Sequence, residues 1–112
     1  MDFIGEQHQP APLIKDILLP DPKNIYTTLI NAIELMYVKG SFVHSDLSQF
    51  NILFHNQRPV IIDVGQGVLK DHPNSLQFLK RDIQNIVSYF KKYDIKENPK
   101  EIYEIILKKK GE

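Results

Sequence analysis

One strand-like interval interrupts a chain whose other long segments are patterned as helices. Residues 51–55 and 59–64 are apolar runs separated by the short polar link Asn56-Gln57-Arg58, which is typical of a β-hairpin. Helical spacing of apolar residues precedes this interval over 22–38 and follows it over 74–93. The order predicts an α+β fold that is mainly helical and carries one short hairpin.

The first long helix is predicted over 22–38. Asp21 can cap the free N–H groups at its start, and Pro22 suits the first helical position. Gly40 is predicted to end the helix in a left-handed conformation. A shorter helix is predicted over 12–19. The apolar face of the long helix consists of Ile25, Leu29, Ile33, Met36 and Tyr37.

Two further helices are predicted in the second half of the chain. The helix over 74–93 is predicted to be the buried organiser of the fold, with Ile83, Ile86 and Phe90 facing inward. A last helix begins at Asn98-Pro99, with its apolar positions predicted on one face: Ile102, Ile105 and Ile106. Lysines 108–110 fall at its C-terminal end and are interpreted as a solvated helix end rather than a nucleic-acid patch.

Composition excludes several classes of function. The 112 residues suit one domain, and 14 basic against 14 acidic side chains argue against a sequence-specific nucleic-acid or membrane partner. The absence of cysteine excludes thiolate zinc sites and cysteine nucleophiles, and the four histidines lack zinc-site spacing. Without an apolar run long enough for a membrane span or a signal peptide, a cytoplasmic protein is expected.

The segment most suggestive of chemistry is His44-Ser45-Asp46, followed after four residues by Asn51. Protein-kinase catalytic loops read His-Arg-Asp, four residues, then Asn. The second strand ends at Asp63-Val64-Gly65, where kinases place the metal-binding Asp-Phe-Gly. Mg²⁺ prefers oxygen ligands, which Asn51 and Asp63 supply, and Asp46 could accept a proton from an attacking hydroxyl or orient it.

Less specialised interpretations of the same residues remain open. Asp63 could be an ordinary turn residue at a strand end. His44 is interpreted as a packed histidine that holds the loop through backbone contacts. Asp82, on an otherwise apolar helix, could be an exposed helix charge or a buried carboxylate that reaches the amides of the catalytic loop.

Longer strings strengthen the kinase-like pattern: residues 43–53, residues 61–66, residues 71–73 with 78–82, and residues 3–5 with 10–16. Together they resemble the RIO family of atypical protein kinases, in its type-one branch. The resemblance extends from the first residue to about Tyr93. The type-one pattern has serines where this chain has Gly65 and Gly67.

The resemblance implies the C-terminal lobe of a kinase-like fold, with residues 1–112 as a single domain. Residues 1–11 would be a hinge-like segment, residues 42–65 the catalytic loop and metal-loop hairpin, and residues 74–109 the C-terminal helices. The resemblance also implies site roles. Asp46 would be the catalytic residue, Asn51 and Asp63 would bind the metal, and Asp63 would also accept phosphate. The backbone at Asp2 and Ile4 would face adenine, Leu53 and Ile62 would lie beneath it, and His44 and Asp82 would support the loop.

The implied activity is that of a serine/threonine kinase or ATPase that uses ATP with Mg²⁺, or Mn²⁺, and acts in maturation of the small ribosomal subunit. The glycine-rich phosphate loop and the lysine–glutamate pair of the N-terminal lobe are absent from these residues. This chain alone is therefore expected to be inactive. It is expected to self-associate, or to pair with an N-lobe or partner chain, through the exposed interlobe face.

Two alternatives compete with the enzymatic interpretation. A non-catalytic module could keep the shape of a kinase lobe in order to dock to a preribosomal particle or another protein. An unrelated small helical domain could carry the motif by chance. Convergence of Asp46, Asn51 and Asp63 at one cleft edge would argue against the chance motif.

Overall fold

The computed structural model describes residues 5–6, 9–62 and 67–111, with side chains from residue 11 onward. Three α-helices and six short strands follow one another along this part of the chain, with single 3₁₀ turns between them. The order is β1 (Gly5–Glu6), β2 (Gln9–Pro10), α1 (Pro22–Val38), β3 (Phe42–Val43), β4 (Ile52–His55), β5 (Arg58–Ile61), β6 (Val68–Leu69), α2 (Ser75–Phe90) and α3 (Pro99–Lys110). None of the described helices is long and apolar enough to cross a membrane.

Helix α1 has the bounds predicted for it. The Asp21 side chain accepts a hydrogen bond from the backbone N–H of Asn24, and Pro22 occupies the first turn. One face of the helix is buried, because it packs against both α2 and α3. That face includes four of the five predicted residues, and Met36 is half-buried; the buried residues are Ile25, Tyr26, Leu29, Ile33 and Tyr37.

The prediction for Gly40 is wrong. Lys39 ends α1 in a right-handed conformation, and the left-handed residue that follows is Ser41, at φ 51°. Gly40 is needed for space instead: a Cβ there would lie 2.8 Å from the carbonyl oxygen of Met36, closer than real Cβ contacts.

The helix predicted over 12–19 shortens to a single 3₁₀ turn, Ile14–Asp16. Its N-terminal flank is extended because it pairs with the hairpin: Leu13 forms a β-bridge with Leu53, and the N–H of Phe54 donates to the carbonyl of Pro12 at 2.8 Å. A strand partner therefore outcompetes the local helical pattern.

The predicted hairpin is present as β4 and β5. Asn56 and Gln57 both have positive φ, as a two-residue hairpin turn requires. The register pairs Ile52 with Ile61 and Leu53 with Val60, so successive residues alternate between two faces. Ile52 is fully buried in the core on one of these faces.

Helix α2 is the buried organiser that its pattern predicts. Its inward face includes Ile83, Ile86 and Phe90, each with no exposed surface, together with Leu79 and Val87. A 3₁₀ turn, Lys91–Tyr93, extends it to the predicted end.

Helix α3 packs against α1 and α2 at the edge of this core, so only a narrow stripe of it is covered. Ile106 is buried and Ile102 partly so, but the inward position predicted for Ile105 is wrong, since 52% of that residue is exposed.

The lysine run at the end of α3 is solvated only in part. Lys109 pairs with Glu34 at 3.1 Å. The Lys110 ammonium donates to the carbonyl of Val38 at 3.0 Å and to the Ser41 hydroxyl at 2.7 Å. These contacts tie the last turn of α3 to the end of α1.

Candidate active site

His44 holds the start of the loop that follows β3. It is 1% exposed, and its Nδ1 accepts the backbone N–H of Asp46 at 3.2 Å. Its Nε2 therefore carries the proton, which it donates to the carbonyl oxygen of Ile62 at 2.9 Å. These two bonds match the structural interpretation of this histidine, because they join the loop at Asp46 to the end of the hairpin.

The Asp82 carboxylate reaches the same loop from α2. It is 1% exposed and accepts the backbone N–H groups of Ser45 at 2.9 Å and Leu47 at 3.0 Å. These contacts exclude the exposed-charge interpretation. Burial raises the pKa of the Asp82 carboxyl, while the two N–H bonds and the nearby His44 and Arg81 act in the opposite direction.

Asn51 ends a 3₁₀ turn, Gln49–Asn51, directly after the loop. Its Oδ1 accepts the N–H of Ser48 at 2.8 Å, and its Nδ2 donates to the carbonyl of Asp46 at 2.6 Å. An amide oxygen has two lone pairs, so Oδ1 retains one for a hard cation. The side chain thus fits a Mg²⁺ ligand whose orientation is fixed in advance.

Asp46 is exposed, unlike the residues on either side of it. Its backbone is bonded to His44 and Asn51. Within residues 11–62 and 67–111, no hydrogen bond or ion pair engages its carboxylate. The structure therefore brings Asp46 and Asn51 together and leaves the carboxylate of Asp46 accessible.

Asp63 lies outside the described residues. Both backbone polar groups of the residue before it, Ile62, form hydrogen bonds with residues of the site. The N–H of Ile62 donates to the carbonyl of Asn51 at 2.9 Å, and its carbonyl accepts from His44. Ile62, the last described residue before Asp63, is thus paired with Asn51 across the hairpin.

The two residues predicted beneath adenine share one face of the hairpin. Leu53 lies opposite Val60, and Ile62 follows Val60 by two positions, so the alternation of the strand brings both to the face opposite Ile52. Both are half-buried. The other predicted nucleotide contacts, Asp2 and Ile4, lie outside the described residues.

The structure also gives a reason for one glycine that departs from the type-one pattern. A Cβ on Gly67 would lie 1.9 Å from Cζ of Phe42, so any larger residue there requires the ring to move. Gly65 lies outside the described residues.

Two contacts to the loop were not predicted. The Arg81 guanidinium donates to the carbonyl of Ser45, and the Asn85 amide donates to the carbonyl of Leu47 at 3.1 Å. Both side chains belong to α2 and flank Asp82 in sequence. The sequence signal that could have predicted the Asn85 contact is its spacing from Asp82, because residues three positions apart share a helix face.

The fold and this loop together define the C-terminal lobe of a protein-kinase-like fold, mainly helical with small antiparallel sheets that include the predicted hairpin. Residues 1–102 match the RIO domain, and the chain belongs to the RIO family. It is 40% identical over 97 residues to the serine/threonine-protein kinase RIO1 of Homo sapiens, covering 85% of this chain and 17% of that protein.

An archaeal relative matches over more of its length. The RIO-type serine/threonine-protein kinase Rio1 of Thermoplasma acidophilum is 40% identical over 109 residues, covering 97% of this chain and 56% of that protein. The chain therefore spans about half of the length of this relative and less of the human one.

Solved structures of the Rio2 kinase from Chaetomium thermophilum share the fold. One has a TM-score of 0.75 at 29% identity, covering 88% of this chain and 34% of that one. Another, of an ADP/Mg²⁺-phosphoaspartate complex, has a TM-score of 0.67 at 28% identity, covering 84% and 32%.

Proposed function

We propose that residues 1–112 form a single domain, the C-terminal lobe of a type-one RIO serine/threonine kinase or ATPase. Together with an N-terminal lobe it would transfer or hydrolyse the γ-phosphate of ATP. The observation that carries the proposal is the loop around Asp46: its backbone is bound by the buried side chains of His44, Asn51 and Asp82, while the carboxylate of Asp46 is exposed. The role in maturation of the small ribosomal subunit, at a preribosomal particle, rests on the resemblance alone.

Asp46 is the proposed catalytic residue. An exposed carboxylate on a fixed backbone can accept the proton of an attacking hydroxyl or hold that hydroxyl in line. Phosphoryl transfer depends mainly on positioning and charge stabilisation, so a rigid loop suits this chemistry.

Asn51 and Asp63 are the proposed metal ligands. Bound Mg²⁺, or Mn²⁺ in its place, would neutralise the charge of the phosphates. The lone pair that Asn51 Oδ1 retains supports Asn51 as a metal ligand. The hydrogen bonds of the Ile62 backbone to Asn51 and His44 support Asp63, the next residue, as a second ligand of the same metal. The related Rio2 structure of an ADP/Mg²⁺-phosphoaspartate complex supports ATP and Mg²⁺ as cofactors and an aspartate as a phosphate acceptor, a role that the family resemblance gives to Asp63.

Leu53 and Ile62 are proposed to lie beneath adenine. Their shared hairpin face offers half-buried apolar side chains, one on the strand that follows Asn51 and one directly after the strand that precedes Asp63. The backbone at Asp2 and Ile4 is proposed to contribute polar contacts to the base.

A chimaera tests the proposal: residues 1–112 replace the matching segment of the Thermoplasma Rio1 kinase, which supplies the remaining protein. The chimaera should hydrolyse ATP or phosphorylate itself. Asp63→Asn should abolish phosphoryl transfer because the main anionic ligand is lost. Asp46→Asn should lower turnover by about 100-fold or more while leaving nucleotide binding largely intact.

Asp71→Asn is the matched control, because Asp71 is exposed and precedes α2 without contacting the loop. Normal turnover in the Asp63→Asn chimaera would refute the assignment. A folded chimaera that binds ATP but shows no turnover would favour the non-catalytic binding module instead.

A further inference from the structure

Three side chains of helix α2 bind every backbone polar group of the two residues that flank Asp46. Asp82 accepts both N–H groups, from Ser45 and from Leu47. Arg81 donates to the carbonyl of Ser45, and Asn85 donates to the carbonyl of Leu47. Because N–H groups need acceptors and carbonyls need donors, Asp82 alone could satisfy only half of these groups.

The backbone of Asp46 itself is bound from the other side. Its N–H donates to His44, and its carbonyl accepts from Asn51. All six backbone polar groups over residues 45–47 are therefore bonded to side chains. A loop held in this way has little freedom to move its central residue.

The conformation of the loop needs such restraint. Ser45 has φ 74°, in the left-handed region that non-glycine residues disfavour. A residue in this region persists only where surrounding contacts impose it. Two side chains restrain Ser45 through its backbone: Arg81 donates to its carbonyl, and Asp82 accepts its N–H.

Arg81 and Asn85 are suitably placed for a shared task. They are separated by four positions on α2, one turn apart on the same side of the helix. The Arg81 guanidinium lies 5.0 Å from the centre of the Phe78 ring, where a cation–π interaction restrains its position. Asn85 is half-buried and neutral, so it can donate to a carbonyl without adding charge beside Asp82.

We propose that Asn85, acting with Arg81, is a positioning residue that fixes the carboxylate of Asp46 by binding the carbonyls on either side of it. This inference rests on the proposed function, in which Asp46 acts on the attacking hydroxyl. It assigns to α2 a second role beyond the core: the helix orients the catalytic loop through donors as well as through the acceptor Asp82.

The first test uses hydrogen exchange by NMR on the 112-residue chain. Asn85→Ala should speed exchange of the Leu47 amide by about three- to tenfold, because one bond that restrains the loop is lost. Exchange of the Ile33 amide, in the middle of α1, should not change. Asn85→Asp has nearly the same size but no donor, and should behave like the alanine variant or worse.

Gln84→Ala is the control, because Gln84 is the exposed neighbour on the same helix. Unchanged exchange at Leu47 in both Asn85 variants would overturn the proposal. So would wild-type exchange in Asn85→Asp alone, because the size of the side chain rather than its donor would then be responsible.

The second test measures steady-state kinetics in the chimaera described above. Asn85→Ala should lower kcat by about tenfold or more, while KM for ATP stays within about twofold, because misplacement of Asp46 affects the reacting hydroxyl rather than nucleotide binding. An unchanged kcat, with Asp46→Asn still inactivating, would overturn the positioning role and leave the proposed function standing. If Asp46→Asn itself has normal turnover, the proposed function fails, and the exchange measurement then decides whether Asn85 orders the loop.

Discussion

Replacing Asp82 by alanine should destabilise the protein more than almost any other change to a charged residue here. The carboxylate is 1% exposed and holds the N–H groups of Ser45 and Leu47, at 2.9 and 3.0 Å. Both residues are buried, so each N–H would lose its partner at a cost of about 1–3 kcal/mol. Relief from burying a carboxylate offsets part of that cost, which leaves a net loss of about 2–4 kcal/mol.

Urea unfolding followed by circular dichroism measures this loss, with Asp71→Ala as the control. Asp71 is exposed, and its replacement should change the free energy of unfolding by less than about 0.5 kcal/mol. A change below about 0.5 kcal/mol in Asp82→Ala would show that the two amide bonds do not support the loop.

The same residue predicts a dependence of stability on pH. Burial raises the pKa of Asp82 above its ordinary value, so the folded chain retains this proton at pH values where the unfolded chain has released it. The pH-dependent part of its contribution to stability is therefore full below the ordinary pKa, near pH 4, and is lost as pH rises through the folded pKa. The stability advantage of the wild type over Asp82→Asn should shrink over that interval. An advantage that grows with pH would mean that the amide bonds outweigh burial.

Further predictions concern two tyrosines and the behaviour of residues 1–112 on their own. Tyr26 has a buried hydroxyl without a hydrogen-bond partner among the described residues, and burial raises its pKa to about 12. Tyr26→Phe should therefore leave the melting temperature unchanged or raise it. Tyr93→Phe removes the acceptor for the Leu19 N–H at 3.1 Å and should lower the free energy of unfolding by about 1 kcal/mol. A larger loss in Tyr26→Phe than in Tyr93→Phe would reveal a partner for the Tyr26 hydroxyl. Residues 1–112 alone should bind Mg–ATP only at about millimolar concentrations or above, show no kinase activity, and self-associate through the face containing Leu53 and Ile62. Calorimetric titration and sedimentation at several concentrations measure both, and micromolar affinity in a strict monomer would contradict them.

The sequence by itself determined the three long helices and the position of the hairpin. The start of α1 at Pro22, the hairpin around the polar link 56–58 and the buried face of α2 follow from capping, proline geometry, turn residues and apolar period, which act within a few residues. The spacing of Asp46 and Asn51 likewise indicated the loop that is proposed to be catalytic. The same local rules misplaced Ile105, because the edge position of α3 is not a local property, and they placed the left-handed residue at Gly40 when it is Ser41.

Only the tertiary structure decided how the loop is held. Residues 45–47 have no regular secondary structure, and their backbone groups are bonded by side chains up to 38 positions away, as from Asn85 to Leu47. The polar pattern of α2 marked Asp82 as unusual, but whether it was exposed depended on what packed against the helix. Likewise, pairing with β4 keeps residues 12 and 13 extended, where the local pattern predicted a helix. Contacts of this range depend on the packing of whole elements, which local propensity and spacing do not specify.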